Sequence, residues 1–256
     1  MESTREAAGI LRQAAAQIVE RGHVVALTGA GISVDSGIPD FRSPGGIWDR
    51  FDPMEYAQIE AFRANPEKVW KMLRALGEMV GAVEPNPGHI GLAQLERLGL
   101  LKTVITQNVD RLHQRAGNTD VVEFHGSDQY LVCLQCGKRY EDKEVNQQGK
   151  EDVPRCECNA VLKPDVVFFG EPIPEEALVR AQMAARECKV MMVVGTSAVV
   201  FPASQIPFAA KRTGATVIEV NLEATPLTGS VTDIFLKGSS STILPNLVEA
   251  IEKTIV

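Results

Sequence analysis

The 256-residue chain lacks an apolar run long enough to cross a bilayer. Its longest, around Val190 to Phe201, is interrupted by Gly195, Thr196 and Ser197 and falls short of the roughly 20 residues a spanning helix needs. An excess of basic charge is also missing. Lys and Arg number 26 against 33 Asp and Glu, a net charge of -7, which opposes attraction to nucleic acid through the overall field. Met1-Glu2-Ser3-Thr4-Arg5-Glu6 carries early acids and no apolar h-region, so no signal peptide is expected. These absences point to a cytoplasmic protein without membrane or direct nucleic-acid contacts. Cysteine is scarce, five in all, and in an intracellular chain two close pairs favour a metal over disulfides.

Hydrophobic residues at 45% and charged residues at 23% describe an ordinary globular protein, long enough to bury a core without disulfides. Leu11, Ala14, Ala15, Ile18 and Val19 follow helical spacing and predict a helix near 3–21. A buried strand is expected at 23–28, with others at 103–106, 121–124, 190–194, 216–220 and 233–236. Helical patterns at 66–80, 88–98, 109–116, 174–187, 203–213 and 244–254 separate most of them. Such alternation predicts an α/β fold, a Rossmann-like parallel sheet with helices on both faces.

Two segments break the rhythm. Residues 36–65 hold Gly37, Pro39, Pro44, Gly45, Gly46 and Pro53, too many breakers for one element, and a loop of that length in a compact domain is usually functional or mobile. Residues 127–163 read as a small inserted zinc-ribbon-like module, leaving 1–126 and 164–256 as the larger domain, with a loop and helical lid over 36–80. Cys133 and Cys136, then Cys156 and Cys158, supply four thiolates suited to tetrahedral Zn2+. The second pair is one residue tighter than the commoner Cys-x-x-Cys. Four protein ligands leave no open position, so the zinc is expected to be structural.

Gly29-Ala30-Gly31-Ile32-Ser33 after the first strand suits either a nucleotide-binding βα turn, whose following helix offers free N–H groups to an anion, or simply a tight strand-to-helix turn. The place of the usual third glycine is taken by Val34. Of the four histidines, His89 at a helix start and His113 on a helix read as structural. His125, following a strand and preceding Gly126, reads equally as a reacting base or as a satisfied histidine.

Further strings narrow these choices: Gly37-Ile38-Pro39-Asp40-Phe41-Arg42, Thr106-Gln107-Asn108-Val109-Asp110, Glu123-Phe124-His125-Gly126, Lys163-Pro164-Asp165-Val166-Val167-Phe168-Phe169-Gly170-Glu171, Gly195-Thr196-Ser197 and Val220-Asn221. In this order, from about residue 22 to about 248, the chain resembles the sirtuins of bacterial and archaeal type, NAD-dependent protein deacylases.

The resemblance implies NAD as co-substrate across the strand ends. Gly29, Ala30, Gly31 and Ser33 would lie at its phosphates, Asp40, Phe41 and Arg42 around the nicotinamide ribose, and Gln107, Asn108 and Asp110 in the nicotinamide pocket. Gly195, Thr196 and Ser197 would hold phosphate or ribose oxygens, Asn221 and Glu223 the adenosine ribose, and Ser240 the adenine end. His125 would be the general base, with Asn108 beside the reacting groups. The acyl-lysine oxygen attacks the ribose as nicotinamide leaves, and the acyl group ends on ADP-ribose. An acyl-lysine peptide would pair as an extra strand, contacting Val109, Val167, Phe169, Gly170 and Val200, with the protein a monomer.

Family members preferring succinyl or malonyl groups carry a Tyr-x-x-Arg pair after Val-Trp in the lid. After Val69-Trp70 those places hold Leu73 and Leu76, so neutral acyl groups are expected. Met72, Leu73 and Leu76 suit either an acyl wall or an ordinary helix core. The competing readings are an ADP-ribosyltransferase or NAD hydrolase on the same fold, a non-catalytic NAD sensor, and a zinc-ribbon nucleic-acid binder.

Overall fold

The computed structural model describes residues 2–142 and 153–255. The chain divides into two compact units. The first comprises Met1–Pro39, Glu84–Phe124 and Glu175–Val256, the second Asp40–Val83 and His125–Pro174. The second unit is broader than the module expected at 127–163, because it also takes in the 40–83 segment.

The first unit is built on six parallel strands in the order β3-β2-β1-β7-β8-β9. These are β1 (Val24–Thr28), β2 (Leu101–Thr106), β3 (Val121–Glu123), β7 (Val190–Val194), β8 (Thr216–Asn221) and β9 (Ile234–Lys237). Every residue of β1 and β7 is buried, as expected of strands covered on both faces. Val24 and Ala26 of β1 join Ala14, Ile18, Leu92, Leu244 and Leu247 in one core. These come from helices α1 (Glu2–Arg21), α6 (Pro87–Arg97) and α10 (Ser240–Ile255). Helix α9 (Ile206–Arg212) packs on β7, β8 and α8 (Glu175–Glu187).

Two boundaries differ from the sequence reading. The helix expected over 109–116 is α7, Leu112–Ala116. Arg111 is left-handed at φ 60°, and an Asp110 carboxylate oxygen accepts the Leu112 N–H at 3.0 Å, so the loop is capped there and the helix starts late. No α-helix follows the glycine loop. Ala30–Ile32 and Val34–Ser36 are single 3-10 turns, so the expected helix N-terminus for an anion is absent there.

In the second unit β4 (Gly126–Cys133) pairs antiparallel with β5 (Arg139–Glu141) and β6 (Leu162–Val166). The breaker-rich stretch holds short helices α2 (Ile47–Arg50), α3 (Pro53–Tyr56) and α4 (Ile59–Ala64), and α5 (Pro66–Gly81) follows. Ile59, Phe62, Val69, Trp70, Met72, Leu131, Leu162 and Phe168 form this unit's core. Leu73 and Leu76 are half-buried and pack against it. Within the described residues, no helix is long and apolar enough to cross a membrane.

Candidate active site

Sheet register brings four polar turns of the first unit together. Thr28 pairs with Thr106 and Val194, and Val194 with Val220, so β1, β2, β7 and β8 end level. Beyond those ends lie Gly29, Gln107 and Gly195, and Asn221 is the last residue of β8. Because β1 sends the chain to β2 on one side while β7 flanks it on the other, this is a switch point where α/β sheets bind ligands.

The turns hold one another closely. A Cβ on Gly29 would sit 2.7 Å from Thr196 Cβ, and one on Gly31 2.7 Å from the Gly195 carbonyl oxygen. Glycine is therefore required by the approach of two loops, whatever binds above them. The Gln107 amide donates to Thr196 Oγ1 at 3.0 Å, and the Asn221 amide to the Thr196 carbonyl at 2.9 Å. The Asn108 amide donates to Gly29 O and to Ser33 Oγ, at 3.2 and 3.1 Å. Ser33 in turn donates to Asp110 at 2.6 Å. Val109 is half-buried in this turn, as is Val200 beyond β7, whereas Ser197 and Glu223 are exposed. Ser240 is buried with its hydroxyl unpartnered, close against Gly88 of α6.

Beneath the turns lie two histidines that share an edge-to-face contact at 5.0 Å. His89 Nδ1 accepts the Asn86 N–H at 3.4 Å, which leaves its Nε2 facing Ser33 Oγ at 3.5 Å. Burial, only partly opposed by the Asp110 charge, lowers its pKa to about 4. His113 Nε2 lies 2.9 Å from Thr28 Oγ1. Burial and then the neighbouring His89 hold it well below the ordinary histidine value. Burial thus favours the neutral form of both rings. Asn86 escaped the sequence reading. It caps α6 and donates to Ile32 O and Ser36 Oγ, fixing the turns after β1. The Asn86-Pro87 cap signal was the available clue.

In the second unit His125 sits half-buried in the turn before β4, and its carbonyl accepts the Val167 N–H at 2.8 Å. Gly126 has φ +79° and lies so near β6 that an added Cβ would come 2.1 Å from the Asp165 carbonyl oxygen. Phe169 is 43% exposed, while its N–H and carbonyl bond Ala57 and Ile59. Gly170 is exposed at φ +89°. Lys163 and Glu171, given no role by the sequence reading, form a largely buried ion pair at 2.9 Å that folds this segment.

Asp40 organises its own loop, accepting the N–H groups of Arg42 and Ser43 and the Ser43 hydroxyl. Burial would raise its pKa, but the Ser43 and Arg42 hydrogen bonds outweigh that and hold it below the ordinary value. Phe41 rests against Trp48 at 4.9 Å, and Arg42 is exposed.

The ligand atoms of Cys133, Cys136, Cys156 and Cys158 all lie within 4.8 Å of one another. Sulfur separations of 3.5, 3.5 and 3.8 Å approach the roughly 3.8 Å edge of a tetrahedron with Zn–S bonds of about 2.3 Å. The Tyr140 hydroxyl lies 3.1 Å from Cys156 Sγ. The four residues therefore fit the metal.

A Sir2 family model matches residues 29–202. The NAD-dependent protein deacylase 2 of Pyrobaculum aerophilum is 46% identical over 235 residues, covering 91% of this chain and 92% of that protein. A solved Sir2 homolog–NAD complex superposes with a TM-score of 0.89 at 41% identity, over 95% of this chain and 94% of the other. Sir2Af2 bound to a myristoylated histone peptide gives a TM-score of 0.81 at 38% identity, over 96% and 98%.

Proposed function

Because the chain belongs to the Sir2 family, we propose that it is an NAD-dependent protein-lysine deacylase, removing acetyl and longer apolar acyl groups to give nicotinamide and O-acyl-ADP-ribose. The observation that carries this reading is the convergence of the Gly29, Gln107, Gly195 and Asn221 turns at level strand ends, on a chain of this family. NAD supplies a ribose carbon that becomes electrophilic as nicotinamide leaves.

The chain's own residues do the rest. Gly29, Ala30, Gly31 and Ser33, with Gly195, Thr196 and Ser197, cradle phosphates and ribose. Gln107, Asn108 and Asp110 orient the nicotinamide end, their amides and carboxylate already fixed by Thr196, Ser33 and Leu112. That rigidity favours a single reacting geometry. Asn221, Glu223 and Ser240 take the adenosine end. Asp40 shapes the loop that presents Phe41 and Arg42 to the nicotinamide ribose. The imidazole of His125 would accept the proton from a ribose hydroxyl of bound NAD, so that this oxygen could bond the acyl carbon, and water would then release the lysine amine.

The acyl-lysine peptide pairs as a strand along Val167, Phe169 and Gly170, with Val109 and Val200 as apolar contacts. Residues 127–163 form the zinc-bearing module, its four cysteines holding a structural ion, and 36–80 serves as cofactor loop and lid. The protein works as a cytoplasmic monomer. Leu73 and Leu76, where an acid-selective relative has Tyr and Arg, support the preference for neutral acyl groups.

Mass spectrometry on acyl-lysine peptides, with and without NAD, tests the reading. Wild type should form O-acyl-ADP-ribose only with NAD, and His125→Ala should lose roughly 10²–10⁴-fold in rate. NAD consumption without acyl transfer would instead indicate a hydrolase or ADP-ribosyltransferase, and binding without turnover a sensor.

A further inference from the structure

Glu219 lies inside β8 with no solvent exposure, paired through its backbone with Val193 and Phe235. A carboxylate is costly at the centre of a parallel sheet unless its oxygens are satisfied. Here three threonine hydroxyls do so. Thr225 donates to Oε1 at 2.6 Å, while Thr228 and Thr232 donate to Oε2 at 2.7 and 2.8 Å. All three come from 222–233, the connection from β8 to β9, which contains neither helix nor strand. Further bonds knit it: the Thr225 N–H donates to Thr228 Oγ1 at 2.9 Å, and the Leu227 N–H to Thr225 Oγ1 at 3.1 Å. Leu227 is only 1% exposed, so the loop is drawn onto the sheet.

A well-packed apolar residue often matches or exceeds a buried charge in stability. What a carboxylate with three donors adds is one fixed loop conformation. That conformation matters at the loop's beginning. Asn221 ends β8, its carbonyl accepting the Gly238 N–H at 2.9 Å and its amide reaching Thr196 O, and Glu223 follows two residues later.

We propose that Glu219 is a positioning residue for the nucleotide: it latches the 222–233 loop through Thr225, Thr228 and Thr232 so that Asn221 and Glu223 meet the adenosine end of NAD. The inference rests on the NAD reading above and assigns Glu219 no contact with the cofactor.

The test uses the full chain, with ADP-ribose as a calorimetric probe that needs no turnover. Glu219→Gln should raise the ADP-ribose Kd and the KM for NAD about tenfold, the scale of one charge-assisted hydrogen bond, while kcat and the peptide KM stay within about twofold. Thr228→Val should act in the same direction, and Thr228→Ser, which keeps the hydroxyl, should restore affinity. Variants with lowered Tm but unchanged ADP-ribose affinity and KM would reduce Glu219 to a structural role and overturn the proposal. If Glu219→Gln does not fold, the Thr228 pair gives the same decision. Wild type that binds ADP-ribose without deacylating sinks the deacylase reading alone, whereas wild type that binds none overturns both.

Discussion

His89 and His113 place two imidazoles below the strand-end turns without asking either to carry charge. An ordinary histidine takes up its proton near pH 6.5, but burial lowers His89 to about 4 and His113 well below the ordinary value. Between those limits the unfolded chain binds more protons than the folded one, so stability must fall as pH drops from about 6.5 towards about 4. The His89 share, from ordinary value to about 4, is on the order of 3 kcal/mol, and His113 adds in the same direction. Urea unfolding between pH 7 and 4.5 should therefore show a steady loss, shallower in His89→Asn. A flat profile across that interval would mean that neither ring is held neutral by the fold.

Among the elements, β4 depends on its first residue. Gly126 combines a left-handed backbone with a carbonyl 2.1 Å from where a Cβ would stand, and it pairs with Val166 at the start of the β4–β6 ladder. Gly126→Ala should cost about 2 kcal/mol or more, since strain and a backbone clash add. Urea midpoints would reveal this, and a shift below about 0.5 kcal/mol would show that β6 can move aside at little cost.

This element also shows where sequence reading stops. The parallel sheet was legible because β1 and β7 are short, wholly buried apolar runs with glycine at their ends. Gly126–Cys133 was not read as a strand because Ser127, Asp128, Gln129 and Tyr130 offer no apolar alternation. Likewise α2, α3 and α4 are too short for periodicity, and of the three only α3 has a side-chain cap, the Asp52 carboxylate that accepts the Met54 N–H. At the candidate site, Gly29, Gln107, Gly195 and Asn221 were legible through motif order. Asn86 reaches Ile32 and Ser36 far back in the chain, while Lys163 pairs with Glu171, and Glu219 with Thr225, Thr228 and Thr232, inside irregular connections where no helix or strand period marks the partner.

Across the whole molecule, the two units should respond differently to loss of metal. Cys133 and Cys156, 1% and 5% exposed, belong to the second unit's apolar core beside Leu131, Leu162 and Trp70. Metal binding there is coupled to packing, and chelation withdraws free energy from that core. The first unit contains none of the four thiolates and keeps its own core under α1, α6 and α10. Heating with a strong chelator should therefore release one zinc per chain and abolish hydrogen-exchange protection in β4 and β6 while β1, β7 and β8 stay protected. Cys156→Ser should copy the effect without chelator. ADP-ribose binding, proposed for the first unit, should then survive better than peptide deacylation, for which His125 and the Val167–Gly170 segment of the second are proposed. Equal loss of protection in both units would mean that the sheet folds only with the cysteine module intact, and that the metal stabilises the entire chain.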